Sequence, residues 1–210
     1  MTSTTLCRRA CFPLFVTLLV TVVASAQRSG STIATEKIFE ALDVREGQTV
    51  CEIGAGSGEL SIAAARLVGT GGRVYTSELG DDRVKTLKER VADSGLAHIT
   101  VVEGDPVKTN FPDAACDGLF VRNVYHHFAD PAAMNASIST ALKAGGRLAI
   151  VDFSPPGKEA TSAPDRDNDG MHGVSAEAVS REMKEAGFEP VASEHGGQRW
   201  FMVVVAKPRL

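Results

Sequence analysis

A chain of 210 residues with 43% hydrophobic and 23% charged content has the length and make-up of one globular domain with a sizeable core. Its net charge of −4 at pH 7, with no Lys/Arg cluster beyond Arg8-Arg9, gives no electrostatic case for nucleic acid, whose binders usually present a basic face.

Residues 1–26 read as a secretory signal peptide. Arg8-Arg9 precede an apolar run from Phe12 to Ala24, and Ala24-Ser25-Ala26 supplies a small-residue cleavage site. The run is shorter than the roughly 20 residues a transmembrane helix needs, so no stable membrane insertion is expected after cleavage. An uncleaved tether and a true start further downstream, which would leave the protein cytoplasmic, remain the alternatives. The twin arginines are also compatible with an export signal for folded proteins, although the residues after them fit it poorly. Cys7 and Cys11 fall in this segment. Cys51 and Cys116 head two apolar strand candidates; buried thiols are the plainer reading, and a disulfide stays open.

Residues 27–34 form a polar linker, and strands and helices alternate from there to the end. Ile33 to Leu42 reads as a lead-in helix with Ile38, Phe39 and Leu42 on one face. The first strand is Thr49–Ile53, followed by a helix from Gly58 to Val68. A second strand covers Arg73–Ser77, and a helix from Asp81 to Ser94 carries Val84, Leu87 and Val91 at helical spacing. Strands at Ile99–Glu103 and Gly118–Val121 come next. Asp130-Pro131 has the form of an N-cap followed by proline at the first helical position, and that helix is expected to reach Ala144. A fifth strand spans Arg147–Phe153. The stretch from Ser154 to Gly173 is rich in Pro, Gly and Asp and shows no periodicity, which in a compact domain marks a functional or mobile segment. Ser175 caps a helix through Ala186, and strands at Glu189–Glu194 and Trp200–Ala206 join through His195-Gly196-Gly197, a hairpin signal. This alternation predicts an α/β fold with a mainly parallel sheet.

The chemistry begins at Glu52-Ile53-Gly54-Ala55-Gly56-Ser57-Gly58. Three alternate glycines let the backbone turn tightly and admit a ligand with no Cβ in its way. The spacing is neither the G-x-G-x-x-G of dinucleotide folds nor a phosphate loop ending in Gly-Lys-Ser/Thr. Glu52 would repel a pyrophosphate but could hydrogen-bond the cationic amino-acid end of S-adenosylmethionine. Glu78 follows at the end of the second strand, placed to accept ribose hydroxyls. Gly104-Asp105 ends the third, where a carboxylate could accept from an adenine amino group, with Leu79 and Val107 positioned to sandwich the ring. Each acid has an ordinary alternative as a turn or cap residue. Their order behind one glycine loop, at the strand ends where open α/β sheets bind ligands, favours a single adenosyl site.

These residues, with Asp117-Gly118-Leu119-Phe120, His126-His127-Phe128-x-Asp130-Pro131, Leu142-Lys143-Ala144-Gly145-Gly146-Arg147-Leu148 and Glu185-Ala186-Gly187-Phe188, resemble the class I S-adenosylmethionine-dependent methyltransferases. The resemblance covers residues 35 to 206 and is nearest to the small-molecule enzymes of ubiquinone/menaquinone biosynthesis. Val50–Gly58 and Gly72-Arg73-Val74-Tyr75 also resemble protein L-isoaspartyl methyltransferases, but the segment after the fourth strand does not. The resemblance implies a Rossmann-like, doubly wound, seven-stranded sheet with an antiparallel last strand, in one domain over residues 35–210. It implies S-adenosylmethionine as cofactor and a small molecule as acceptor. The cofactor residues it implies are Glu52, Gly54, Ala55, Gly56, Gly58, Glu78, Leu79, Gly104, Asp105 and Asn123.

Around the end of the fourth strand, Arg122, His126 and His127 are the catalytic candidates, since histidine moves protons near neutral pH. Tyr125, Asp152 and His172 are the candidate acceptor contacts. No Cys/His cluster has zinc spacing; His126 and His127 with two acids are a conceivable ligand set, but no metal is expected. A non-catalytic adenosyl-ligand binder and an NAD-dependent oxidoreductase are the rival classes, the second disfavoured by the loop spacing.

Overall fold

Short apolar runs rich in β-branched residues become most of the strands, and glycines close three of the five α-helices. In the computed structural model, which describes residues 1–2, 33–168 and 170–209, Thr49–Ile53 (β1), Arg73–Glu78 (β2), Ile99–Glu103 (β3), Cys116–Arg122 (β4), Leu142–Phe153 (β5), Glu189–His195 (β6) and Trp200–Ala206 (β7) make one sheet. Its order is β3-β2-β1-β4-β5-β7-β6. All pairs from β3 through β5 are parallel, and β7 runs antiparallel to both its neighbours. The expected seven-stranded, mainly parallel sheet with an antiparallel last strand is therefore the observed one. The proposed signal peptide at residues 1–26 lies outside the described residues, apart from its first two.

Strand alternation divides the core between the two sheet faces. Val50, Val74, Phe120, Ala149, Val151, Met202 and Val204 pack with helices Thr35–Leu42 (α1), Glu59–Val68 (α2) and Asp81–Asp93 (α3). Cys51, Ile53, Leu119, Val121, Leu148, Ile150 and Phe201 pack with Pro131–Ala141 (α4) and Ala176–Glu185 (α5). Among the described residues no helix is long and apolar enough to cross a membrane.

Three expectations change. Cys51 and Cys116 form a disulfide between β1 and β4, with Cα atoms 5.9 Å apart, instead of remaining free thiols. Helix α4 stops at Ala141, three residues early. Leu142 turns extended and pairs with Cys116, Gly145 at φ 78° donates to Lys207 O, and Lys207 N donates back to Gly146 O, so β5 starts at Leu142. The segment after β5 is not structureless. Ala163–Asp167 forms a 3-10 turn, and Arg166 within it is buried. Both proposed caps hold: the Asp130 and Ser175 side chains accept from the backbone N–H three residues on.

Candidate functional site

The sheet reverses its winding direction between β1 and β4, the place where such folds bind ligands. The C-terminal ends of β1, β2, β3 and β4 there wall a cavity of about 530 Å³. Gly54, Glu78, Leu79, Gly104, Asp105 and Asn123 all line it, as the sequence led us to expect. Ser77, Arg83, Lys108, Val124, Phe128 and Met134 complete its wall without having been singled out as contacts.

The glycine loop is shaped by its surroundings as much as by its own freedom. Gly54 and Ala55 both donate to Ser77 O, at 2.9 Å each, which pins the loop to the end of β2. Gly54 has φ 73°, and a Cβ there would come within 2.4 Å of Val124. Gly56, at φ 53°, has open space in front of it. One glycine makes the fold fit; the other stands exposed, and Ala55, Gly56 and Gly58, expected as cofactor contacts, are not part of the cavity lining.

Glu78 is almost wholly buried at the cavity wall. Its Oε2 accepts from Gly56 N at 2.7 Å and its Oε1 from Leu79 N at 2.8 Å. Each carboxylate oxygen keeps a lone pair for a diol, so bracing the loop and holding a ribose are compatible. Asp105 Oδ1 accepts from Val107 N at 2.8 Å, closing the turn after β3. Val107 itself is not among the residues lining the cavity. Asn123 sits at φ 58°, a conformation that asparagine tolerates better than most residues. Its N–H donates to Val151 O and fixes the end of β4.

Glu52 lies elsewhere than expected. Its side chain turns from β1 toward α2, where the buried Ser61 hydroxyl donates to it, and it does not open directly into the cavity. Burial pushes its carboxyl up from 4.5 to about 7, the Ser61 hydrogen bond offsetting only part of that. Arg122 also faces this side, with Nη1 3.5 Å from Thr35 Oγ1, and stands apart from the histidines with which it was grouped.

The acceptor side contains the other departures. Tyr125 is buried completely. Its hydroxyl donates to Glu182 and accepts from Asn135, at 2.9 Å each, so it contacts the core and no acceptor. Burial pushes its phenol above the ordinary range. Asp152 is equally buried. It accepts from His126 Nδ1 at 2.8 Å and from the backbone N–H groups of His126 and Phe153, which makes it the group that orients His126. His126 is buried beside it, whereas His127 and His172 are half-exposed. His127 reaches the cavity, and burial together with the adjacent His126 holds its imidazole below the ordinary range. Asp167, from the segment after β5, joins it on the cavity wall. His126, His127, His172 and Asp167 place one donor atom each within 4.8 Å of one another. That convergence departs from the expectation of no metal-type cluster. The only prior sign of Asp167 was its place in an acid-rich segment.

This topology and this cavity define the class I S-adenosylmethionine-dependent methyltransferase fold. Residues 51–150 match the methyltransferase domain family. It is 37% identical over 123 residues to the ubiquinone/menaquinone biosynthesis C-methyltransferase UbiE of Pseudomonas putida, covering 56% of this chain and 46% of that protein. It is 31% identical over 120 residues to the enzyme of the same description from Marinomonas, covering 57% and 48%. The chain thus spans about half the length of the curated relatives it matches. A solved methyltransferase from Aquifex aeolicus superposes with a TM-score of 0.71 at 23% identity, covering 84% of this chain and 90% of that one. Geranyl diphosphate C-methyltransferase from Streptomyces coelicolor gives 0.68 at 15% identity, covering 82% and 79%; these two likenesses are of fold.

Proposed function

We propose that this protein transfers the methyl group of S-adenosylmethionine to a small-molecule acceptor by in-line displacement. The observation that carries this reading is the arrangement of Glu78, Asp105 and Gly54, the first residue of the glycine loop, around one cavity at the β1/β4 switch point, with Glu78 bracing the loop at Gly56 N. Glu78 would hold the ribose, Asp105 the adenine through its second oxygen, and Leu79 one face of the ring. The acceptor atom attacks the methyl carbon, the carbon–sulfur bond breaks toward sulfur, S-adenosylhomocysteine leaves, and a neutral acceptor sheds one proton. The sulfonium is already activated. The chain's contribution is orientation and exclusion of water, worth up to about 7–11 kcal/mol when geometry is ideal.

Similar proteins described as C-methyltransferases make a carbon nucleophile the first acceptor to try. The test has two stages. Calorimetry with S-adenosylhomocysteine should give stoichiometric binding, and labelled S-adenosylmethionine should then methylate members of a panel of phenolic and isoprenoid acceptors. No binding of the homocysteine product would overturn the cofactor assignment. Binding without turnover across the panel would favour an adenosyl-ligand binder.

We infer further that the chain is exported, with residues 1–26 as signal, 27–34 as linker and 35–210 as the methyltransferase unit. The core disulfide Cys51–Cys116 supports this, because disulfides persist in oxidising compartments. Cell fractionation with N-terminal sequencing should find a mature chain starting at Gln27; a cytoplasmic chain that keeps its first residues would refute export.

A further inference from the structure

We propose that His126, His127, His172 and Asp167 form a binding site for a divalent transition metal of the zinc type on the acceptor side of the cavity. The four side chains come from three pieces of chain. The short 3-10 turn Tyr125–His127 sets two imidazoles side by side, with centroids 3.9 Å apart. The turn at residues 170–173 brings in His172, whose Nε2 lies 2.9 Å from His126 Nε2. Asp167 Oδ1 is 3.3 Å from His127 Nδ1 and 3.5 Å from His172 Nε2. A tetrahedral site with metal–nitrogen bonds of about 2.0–2.1 Å has ligand atoms separated by about 3.3 Å, which three of the six donor pairs bracket, and all four donors lie within 4.8 Å of one another. Imidazole and carboxylate together suit zinc and its first-row neighbours and offer little to magnesium.

The surroundings are those of a supported site. Asp152 accepts from His126 Nδ1 at 2.8 Å, which places the hydrogen on that nitrogen and leaves the Nε2 lone pair aimed at the centre of the cluster. A buried carboxylate behind a ligating histidine is the usual second support of a metal site. Farther out, one buried network holds two of the contributing segments in place. Arg166 donates to Glu182, which also accepts from the Tyr125 hydroxyl, itself hydrogen-bonded by Asn135. Arg166 and Tyr125 are the immediate chain neighbours of Asp167 and His126. Gly173 closes the loop because the space for its Cβ is already filled, by Phe153 O at 2.5 Å.

Asp167 and His172 lie outside the 51–150 stretch that matches the family, so half of the donor set belongs to this chain's own C-terminal part. His127 and Asp167 also line the cavity. A fifth position, open on that side, would take an oxygen of the acceptor. In that arrangement His127 serves as a ligand and not as a general base. Metal binding stands without the methyl-transfer reading; only the acceptor's place at the metal rests on it.

The full chain, stripped with a chelator, should bind one zinc ion per molecule by calorimetry and bind magnesium far more weakly. Cobalt should give the visible absorption of a four- or five-coordinate ion. The half-exposed ligands are the ones to change, since replacing the buried His126 risks the fold. His172→Ala and Asp167→Ala should each weaken zinc at least about tenfold, with S-adenosylhomocysteine affinity kept within about twofold in His172→Ala, whose side chain does not line the cavity. Absence of stoichiometric zinc binding, or unchanged affinity in both variants, overturns the site. Zinc binding without S-adenosylhomocysteine binding would instead count against the proposed function and leave the metal site standing.

Discussion

The cofactor side of the cavity is made of consecutive pieces of chain, whereas its acceptor side is gathered from pieces far apart. Gly54–Gly58, Glu78 and Asp105 occupy the ends of β1, β2 and β3, each a few residues from the element that positions it. On the other side, His126 and His127 meet Asp167 and His172 across more than 35 residues of intervening strand, helix and loop. The first kind of site is written in local spacing. The second depends on which turns happen to face one another. A single covalent tie, Cys51–Cys116, joins β1 to β4 at the boundary between the halves.

That tie gives the largest expected effect. Closing a loop with a sequence separation of 65 residues removes unfolded-state entropy worth about 4 kcal/mol. The Cys51→Ala/Cys116→Ala variant should unfold at a temperature lower by roughly 8–16 °C, at about 2–4 °C per kcal/mol for a domain of this size. Scanning calorimetry checks this. If the two halves are held chiefly by packing, the drop will be no larger than that of two small core truncations, and the disulfide's structural role is lost.

On the cofactor side, Glu78→Ala removes both the proposed ribose acceptor and the brace on Gly56 N. Charge-assisted hydrogen bonds are worth about 1.5–3 kcal/mol each, so affinity for S-adenosylhomocysteine should fall roughly 100-fold. Calorimetry giving unchanged affinity would leave the ribose assignment without support, and the acceptor half would then be the better-defined one.

The two loop glycines separate folding from binding. Gly54→Ala drives a Cβ into Val124 at 2.4 Å and should cost about 1–3 kcal/mol of stability together with binding. Gly56→Ala meets open space, so its stability loss should stay near the roughly 1–2 kcal/mol cost of a left-handed alanine. Its cofactor affinity should nevertheless fall about tenfold, through the Cβ placed in the ligand's path. Equal behaviour of the two in thermal shift and in binding would erase the distinction.

What was legible in the sequence follows the same division. β1 and β3 are bounded as their apolar runs and flanking turns imply, and two of the three cavity-lining acids, Glu78 and Asp105, are legible from strand ends. The end of α4 was missed because alanines and leucine continue a helical pattern, while the decision rests with a tertiary partner, the pairing of Leu142 with Cys116. Tyr125 and Asp152 were read as acceptor contacts because polar residues after a strand usually face a site. Both instead point inward, satisfied by Glu182, Asn135 and His126. Nothing local marks such a residue as buried. Asp167 was missed for the complementary reason, since its importance comes only from the histidines it meets.

The smallest effect tests the one cofactor-side acid that the structure withdraws from the cavity. Burial raises the Glu52 carboxyl from 4.5 to about 7, so the folded protein holds a proton that the unfolded chain releases between those values. The contribution of Glu52 to stability is therefore full below pH 4.5 and is lost as pH rises through about 7. Binding should run the opposite way. A cofactor ammonium near the glycine loop favours the ionised carboxylate, whose fraction rises about tenfold between pH 6 and pH 8. Affinity for S-adenosylhomocysteine should thus gain up to about tenfold over that range from Glu52 alone. The ligand's own amino group begins to lose its proton above about 7.7–8.0, an effect shared by Glu52→Gln, so the difference between the two pH profiles isolates the carboxylate. Superimposable profiles would mean that Glu52 serves Ser61 and the fold of the loop, and that cofactor recognition begins at Gly54.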